Sequence, residues 1–334
     1  MTSRQIGSCI KNYTVWSYLA NYFVTSRSFL QARRQSFYLY AMQLLDGVFV
    51  AKKIKADLLV QVQEARSQGR RAPHLAAVLI GDHPASASYI RNKIKSCAEA
   101  GYESTLIHHP ADITEEKVLH IIDGLNHNDD IDGFIVQLPL PRHIDDMRVL
   151  LAIDPKKDVD GFHPTNVGRM VIGLPAYVPA TPLGILRLIE HYQIPTEGKN
   201  VVVLGRSNIV GTPISVLLSR KAYPGNATVT LCHSKSAGLA EITLRADIII
   251  AALGATHFIK ADMVKDGAVV IDVGMNQIPD SSAKKGTRLV GDVDFVHVSP
   301  KCSFITPVPG GVGPMTVCAL MINTWEAYNR SIYG

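Results

Sequence analysis

An aromatic ring and an amine in the stretch YIRNK are the first candidates for chemistry. Tyr89 and Lys93 are four residues apart, and this spacing places two side chains on one face of a helix. A lysine amine can act as a general acid or base when loss of water lowers its pKa toward neutrality. Most helical lysines are solvated, so the pair alone also fits an ordinary exposed helix face.

Polar residues that follow an apolar run form a second candidate set. Gln137 follows FIV in DGFIVQLPLP, and α/β proteins gather ligand contacts at the carboxyl ends of their parallel strands. Asp158 and Asp160 precede Gly161 in DPKKDVDGFHPTNVGRM. Taken singly, Gln137 also fits a surface amide, and the aspartates fit a turn that needs short polar side chains.

A glycine turn in GKNVVVLGRSNIVGTPISVLL is the third candidate. Gly205 ends an apolar run and Gly211 begins a helical pattern. Gly205 can adopt a φ that other residues avoid, and Gly211 permits close approach of a helix and a phosphate. We predict that free backbone N–H groups at the start of this helix face a pyrophosphate. A plain turn between strand and helix is the alternative.

The residues after this turn favour NADP over NAD. NAD sites usually carry an acidic residue about 20 positions further on, which binds the ribose hydroxyls. No Asp or Glu occurs between Gly205 and Glu241, whereas Arg206 and Lys235 are cationic and CHS contributes His233 and Ser234. A 2′-phosphate would therefore meet a cation and a hydroxyl.

The stretch TPVPGGVGPMT places three glycines within four residues, just before a proline that can open a helix. We interpret this as backbone lying close to a ligand, with a hinge as the alternative. GxSxG serine elbows, HExxH zinc helices and Walker loops do not occur, and the five scattered cysteines lack CxxC spacing. We therefore expect no bound metal, no disulfide framework and a reducing compartment.

The elements that must position these residues alternate between helix and strand, which predicts an α/β fold of two lobes around a cleft. The first lobe is predicted from helices in VAKKIKADLLVQVQEARSQG and ASYIRNKIKSCAEAG, the latter closed by Gly101, and from strands in HLAAVLIG and DGFIVQLPLP, where Pro139 and Pro141 stop the strand. Strands in NVVVLG, ATVTLC, ADIIIAALG, AVVIDVG and SFITPVP predict a second lobe with a Rossmann-like, NAD(P)-binding parallel sheet.

Two further helices flank the second lobe. In PATPLGILRLIEHYQI we predict that Thr181 caps the helix and that Pro182 occupies its first turn. Pro314 is predicted to open a helix in PMTVCALMINTWEAYNRSI, long enough to return to the first lobe.

Charge excludes other classes of protein. The net charge of +5 arises in residues 1–41, which hold five cations and no acid, so the rest of the chain is balanced. We expect neither a nucleic acid nor a membrane as partner, since the body has no basic excess and no apolar run long enough to span a bilayer.

Residues 1–41 hold nine of the 23 aromatic residues and show no amphipathic period. We predict a disordered extension or a misassigned start, with the true beginning at Met42. A mitochondrial transit peptide is the alternative, so the expected location is the cytoplasm, or the mitochondrion if the extension is genuine.

Taken in order, YIRNK, DGFIVQLPLP, KDVDGFHPTNVG, PATPLG, GRSNIVGTP, CHSKS, VIDVG, GDVDF and TPVPGGVGPMT resemble the bifunctional methylenetetrahydrofolate dehydrogenase/cyclohydrolase family over about residues 42–325. The resemblance implies NADP-dependent oxidation of 5,10-methylenetetrahydrofolate to the methenyl cation and hydrolysis of that cation to 10-formyltetrahydrofolate. It also implies tetrahydrofolate derivatives as substrate and a homodimer.

The resemblance also implies roles for particular residues. Lys93 corresponds to the catalytic lysine, Tyr89 to the ring that covers the folate, Gln137 to the partner of the lysine, and Asp160 to the carboxylate that binds the pterin. The predicted catalytic residues are Lys93, Gln137, Tyr89 and Asp160. Further substrate contacts are expected from Leu138, Pro309, Gly310 and Gly311. Cofactor contacts are expected from Gly205, Arg206, Ser207, Gly211, His233, Ser234, Gly254, Gly274 and Gly313.

The expected organisation is an extension at 1–41, a folate-binding catalytic domain at 42–178 completed by a helix at 314–331, and an NADP-binding domain at 179–313. A monofunctional methylenetetrahydrofolate dehydrogenase is the nearest alternative. An NADP dehydrogenase for an amino or keto acid would need only the second lobe, and a non-catalytic folate-binding module would not need Lys93 and Gln137.

Overall fold

The computed structural model describes residues 42–82, 84–283 and 286–333, apart from the side chains of residues 84–88. The expectations for residues 1–41 lie outside this range. Within it, no helix combines the length and the apolar character needed to cross a bilayer. The four cysteines in this range are free and buried.

A three-stranded parallel sheet with strand order β3-β2-β4 forms the first lobe. The elements of residues 42–178 are β1 (Gln43–Leu44), α1 (Gly47–Ser67), β2 (His74–Ile80), α2 (Pro84–Glu99), β3 (Glu103–His109), α3 (Glu115–Asn126), β4 (Gly133–Val136), α4 (Asp146–Ala152) and α5 (Pro164–Val171). Gly101 has a φ of +76° directly after α2, which fits its predicted role in closing that helix. β3 is absent from the predicted elements.

A six-stranded parallel sheet with strand order β1-β11-β8-β7-β5-β6 forms the second lobe. Its elements are α6 (Ala180–His191), β5 (Asn200–Leu204), α7 (Gly211–Ser219), β6 (Thr228–Cys232), α8 (Leu239–Leu244), β7 (Ile248–Ala251), β8 (Ala268–Asp272), the hairpin β9 (Asn276–Pro279) and β10 (Thr287–Val290), α9 (Phe295–Val298), β11 (Cys302–Ile305) and α10 (Val312–Tyr328). The predicted α/β class and Rossmann-like sheet are confirmed, and β1 adds an edge strand from the start of the first lobe.

Mostly apolar runs form the buried strands, as expected where helices cover both faces of a parallel sheet. Every residue of β4, β7 and β8 is buried. The last residue of each of these strands therefore lies at the carboxyl edge of its sheet, where the next loop begins.

Helix α10 contributes to both cores. Its first turns place Met315 and Cys318 in the core of the second lobe, whereas Leu320 and Met321 pack in the core of the first lobe. α10 begins at Val312, two residues before Pro314.

The predicted cap at Thr181 is wrong. Helix α6 begins at Ala180, with Pro179 at the capping position and no capping side chain, and Pro182 lies in its first turn as predicted. Thr181 is thus already helical, and its hydroxyl lies 3.1 Å from that of Thr316. This contact joins α6 to α10.

Candidate active site

Helix α2 buries the amine singled out from the sequence. Lys93 is only 5% exposed. Its Nζ lies 4.6 Å from the centre of the Tyr89 ring and donates a hydrogen bond of 3.4 Å to Oε1 of Gln137. The helix and the first-lobe sheet therefore bring Tyr89, Lys93 and Gln137 together.

Burial shifts the pKa values of Lys93 and of the nearby Asp160. Loss of water lowers the pKa of Lys93, an effect opposed by the negative charge of Asp160 and, more weakly, by Cys97. Burial likewise raises the pKa of Asp160, and the Lys93 charge opposes that rise. Desolvation disfavours the charged form of each group, so the amine is easier to deprotonate than a lysine in water.

Gln137 is held in one orientation by strand β4 and its own chain. Its backbone N–H donates to the carbonyl of Val78 at 2.9 Å, which continues the ladder beyond Val136. Its side-chain Nε2 donates to the carbonyl of Leu138 at 2.7 Å. Oε1 is thus left to accept from Lys93 without adding a charge near the amine.

Asp158 builds the turn that carries Asp160. It is 1% exposed, and its carboxylate accepts from the N–H groups of Phe162 and His163 at 3.2 and 2.8 Å. Burial raises the pKa of Asp158 to about 7. Gly161 has a φ of +75°, so this is the tight turn that the aspartates and glycine suggested.

A cavity of about 750 Å³ opens beside Tyr89. The segment after β11 forms its opposite wall through Pro309, Gly310, Gly311 and Gly313. Lys55, Asn92, Ser96 and Glu99 also line it, and the sequence did not single them out. This volume suits a drug-sized ligand.

The glycines of this wall are partly required by the protein itself. A Cβ on Gly311 would lie 2.6 Å from the carbonyl oxygen of Pro307, and a Cβ on Gly47 would lie 1.8 Å from that of Gly311. Packing against Pro307 and Thr306 therefore already requires a glycine at Gly311, and the predicted contact of this glycine with a ligand stays a prediction.

A second cavity, of about 360 Å³, extends from the Asp160 turn to the glycine turn of the second lobe. Asp160 and Leu138 line one side, and Asn208, Ile209 and Thr212 line the other. The carboxylate of Asp160 is therefore close to the region where the two lobes meet.

The glycine turn requires both of its glycines. Gly205 has a φ of +111°, and a Cβ there would lie 2.1 Å from the carbonyl oxygen of Ala252. A Cβ on Gly211 would lie 1.8 Å from the carbonyl oxygen of Gly205. The start of α7 thus packs directly on the end of β5.

The free N–H groups lie in the loop and not at the start of α7, where we predicted them. Oγ of Ser207 accepts from the N–H groups of Val210 and Gly211 at 3.2 and 3.4 Å. The backbone carbonyl of Ser207 accepts from the N–H of Thr212 at 3.0 Å. Serine competes in this way for the first donors of a helix. Between residues 206 and 209, no backbone N–H has an acceptor within the described part of the chain.

Polar side chains gather beside these N–H groups. The N–H of Gly205 donates to the carbonyl of Cys232 at 2.9 Å, so the loops after β5 and β6 begin side by side. The side chains of Arg206, Ser207 and Ser234 are exposed there. His233 is half-buried, and its Nδ1 accepts from the N–H of Lys235 at 3.1 Å.

Two buried aspartates, which the sequence analysis missed, hold the loops that follow β7, β8 and β10 in the second lobe. Asp292 is fully buried and accepts hydrogen bonds of 2.6–2.9 Å from the N–H groups of Leu253, Gly254 and Ala255 and from Nδ2 of Asn276. Asp272 accepts from the N–H groups of Gly274, Asp292 and Val293 at 2.9 Å. Burial raises the pKa of Asp272 to about 6.

This network includes two of the five glycines that were predicted to contact the cofactor, Gly254 and Gly274. Gly254 has a φ of +67°, and a Cβ on Gly274 would lie 2.4 Å from the N atom of Asp292. The only local signal for the network is an aspartate close to a glycine in both VIDVG and GDVDF.

Two family models match the chain. The catalytic domain of tetrahydrofolate dehydrogenase/cyclohydrolase matches residues 45–160, and its NAD(P)-binding domain matches residues 179–332. Among curated proteins, the bifunctional protein FolD of Bacteroides fragilis is 56% identical over 292 residues, which are 87% of this chain and 100% of that protein.

Solved structures of the same family resemble this chain in both sequence and fold. The FolD methylenetetrahydrofolate dehydrogenase/cyclohydrolase of Campylobacter jejuni is 45% identical, with a TM-score of 0.82 over 87% of this chain and 100% of that one. The FolD of Trypanosoma brucei, solved with NADP cofactor and inhibitor, is 37% identical, with a TM-score of 0.83 over 88% of this chain and 99% of that one.

Proposed function

The chain belongs to the tetrahydrofolate dehydrogenase/cyclohydrolase family, and from this membership we infer that it carries out both reactions of the family. It oxidises 5,10-methylenetetrahydrofolate with NADP, and it hydrolyses the methenyl product to 10-formyltetrahydrofolate. The observation that best supports the second reaction is the desolvated amine of Lys93, 3.4 Å from a neutral acceptor on Gln137.

The loops that follow β5 and β6 of the six-stranded sheet carry the groups that NADP needs. The N–H groups of residues 206–209 lack an acceptor within the described chain, so they can bind phosphate oxygens. Arg206 and Ser234 are exposed beside them and are suited to a 2′-phosphate. We assign Gly205, Ser207, Gly211, His233, Gly254, Gly274 and Gly313 to the same site as residues that shape it.

In the oxidation, bound NADP accepts a hydride from the methylene carbon of the folate. The two nitrogens that flank this carbon stabilise the resulting cation, so the protein mainly needs to position the reactants. Tyr89 covers the folate from α2, Asp160 binds the pterin, and Leu138, Pro309, Gly310 and Gly311 complete the walls.

In the hydrolysis, a water molecule forms a bond to the methenyl carbon and loses one proton to the neutral amine of Lys93. When the bond between this carbon and the ring nitrogen breaks, Lys93 returns a proton to that nitrogen, and the remaining hydroxyl proton passes to solvent as the formyl C=O forms. Gln137 holds the amine in either state because its Oε1 accepts from –NH₂ as well as from –NH₃⁺.

We propose the domain organisation of the sequence analysis, with folate bound by residues 42–178 and the returning segment 314–331, most of which is helix α10, and NADP bound by residues 179–313. We also propose a cytoplasmic location, with the mitochondrion as the alternative if residues 1–41 act as a transit peptide.

We further propose a homodimer formed through strand β6. This strand is at an edge of the six-stranded sheet, contains neither charge nor proline, and leaves Leu231 37% exposed. Such an edge is a template for pairing with a second copy. Sedimentation should give a dimer for the parent and a monomer for Leu231→Lys, and a monomeric parent would refute the assignment.

The direct test of the two activities uses one preparation of the full chain. With 5,10-methylenetetrahydrofolate and NADP we expect NADPH to form, and with methenyltetrahydrofolate alone we expect its absorbance to decay faster than in buffer. NADPH formation without accelerated decay would favour the monofunctional dehydrogenase.

A further inference from the structure

The carboxylate of Asp160 is carried on a turn whose backbone is held from several directions. The carbonyl of Val159 accepts from Nδ2 of Asn323 in α10 at 2.8 Å. The carbonyl of Asp160 accepts from the N–H of Ala180 at 3.2 Å. The N–H of Gly161 donates to the carbonyl of Asp158 at 3.0 Å. The position of this carboxylate therefore depends on buried partners outside the cleft.

Asn166 is the centre of these partners. It is completely buried, and its Nδ2 donates to Oδ2 of Asp158 and to the carbonyl of Pro155, both at 2.9 Å. Its Oδ1 accepts from the hydroxyl of Tyr333 at 2.8 Å and from the N–H of Tyr177 at 3.4 Å. All four hydrogen-bonding positions of the amide are thus used.

Tyr333 begins a series of hydrogen bonds that runs through Asn166 to Asp158. The centre of its ring lies 5.9 Å from that of Tyr177. The guanidinium of Arg169, on helix α5, lies 4.8 Å from the centre of the Tyr333 ring. These contacts hold the hydroxyl against Asn166, away from both cavities described above.

We propose that Tyr333 and Asn166 are positioning residues for folate binding, which act through Asp158 on the turn that carries Asp160. The proposal rests on the assignment of Asp160 as the pterin-binding carboxylate. Without the Tyr333 hydroxyl, the shortest bond to Asn166 Oδ1 is lost and the amide can turn, which loosens its hold on Asp158. The carboxylate of Asp160 would then sample more orientations, and folate would bind less tightly.

Tyr333→Phe tests this proposal because it removes one hydroxyl and keeps the ring and its contacts with Tyr177 and Arg169. In the full chain we expect the KM for the folate substrate to rise about fivefold, as the loss of one hydrogen bond permits. The KM for NADP and the kcat at saturating folate should stay unchanged, and a purely structural role would not produce this split.

Tyr328→Phe is the matched control. Its hydroxyl donates to the carbonyl of Arg71 at 2.8 Å, so the change removes a bond of equal length that does not lead to Asp160. An unchanged folate KM in Tyr333→Phe, or an equal rise in Tyr328→Phe, would overturn the proposal.

Asp160→Asn separates this inference from the function on which it rests. If Asp160→Asn raises the folate KM and Tyr333→Phe does not, only the positioning role fails. If Asp160→Asn leaves the folate KM unchanged, the assignment of Asp160 fails and the positioning role fails with it.

Discussion

The two halves of the candidate site use different parts of the chain for their chemistry. In the first lobe the functional groups are side chains withdrawn from water, with Lys93 at 5% exposure and Tyr89, Gln137 and Asp160 half-buried. In the second lobe the side chains of Arg206 and Ser207 are exposed, and the geometry is fixed by Gly205.

This difference follows from the tasks of the two halves. Proton transfer near neutral pH needs a lysine whose pKa is lowered, and burial provides that. Phosphate binding needs several N–H donors in fixed directions, and the turn can present those of residues 206–209 because Gly205 and Gly211, at its two ends, allow a close approach that a Cβ would block. The first half should therefore be sensitive to the loss of a functional group, and the second to the gain of a Cβ.

The largest effect is expected from Lys93→Met, which keeps the length of the aliphatic part of the side chain and removes its amine. Hydrolysis of methenyltetrahydrofolate should fall by about 10²- to 10⁴-fold, the usual contribution of a general acid–base, while folate still binds. Arg91→Met changes an exposed cation on the same helix and should leave the rate unchanged. Full hydrolysis by Lys93→Met would refute the assignment.

Gly205→Ala tests the second half. A Cβ 2.1 Å from the carbonyl of Ala252, at a φ that alanine avoids, should lower the free energy of unfolding by at least about 2 kcal/mol and weaken NADP binding. Calorimetry and the KM for NADP measure both effects.

Gly124→Ala is the corresponding control, since a Cβ there meets nothing within 4 Å. It lies within α3 and should raise stability by about 0.5–1 kcal/mol. If both alanine variants behave alike, the importance of backbone space at the glycine turn is disproved.

Arg206→Ala should have a smaller effect because the guanidinium is exposed. The ratio of kcat/KM for NADP to that for NAD should fall by about tenfold, the value of one charge-assisted hydrogen bond. Arg245→Ala removes an exposed cation from the same lobe and should preserve the ratio. A parent enzyme that prefers NAD would contradict the cofactor assignment.

The smallest effect concerns the pH dependence of hydrolysis. The base form of Lys93 is the neutral amine, so the rate at saturating folate should rise with pH through the lowered pKa of Lys93. The negative charge of Asp160 raises that pKa, and Asp160→Asn should therefore move the rise to lower pH. A shift to higher pH would show that another group is titrating.

Local pattern was sufficient to predict much of this fold. The buried strands β5, β7 and β8 are continuous apolar runs and were recognised, and Gly205 was recognised because its conformation is a local property. β3 was missed because it is an edge strand with mostly exposed residues, so no apolar run marks it. Spacing made Lys93 and Gln137 candidates, but an exposed helix face and a surface amide fitted the pattern equally well, and only the family resemblance favoured the catalytic interpretation.

Long-range contacts account for the other differences. Asp292 binds N–H groups nearly forty positions earlier in the chain, and no local pattern reports such a pairing. Ser207 can accept hydrogen bonds from the N–H groups at the start of α7 only because of the path that the loop takes. The sequence alone therefore could not place the free N–H groups at residues 206–209.

Helix α10 has a consequence for how the protein unfolds. One half of it completes the second-lobe core through Met315, and the other half completes the first-lobe core through Met321. Neither sheet can lose this helix without exposing apolar surface of the other. We therefore expect the two lobes to unfold as one cooperative unit, with a single transition when the chain is heated in a calorimeter.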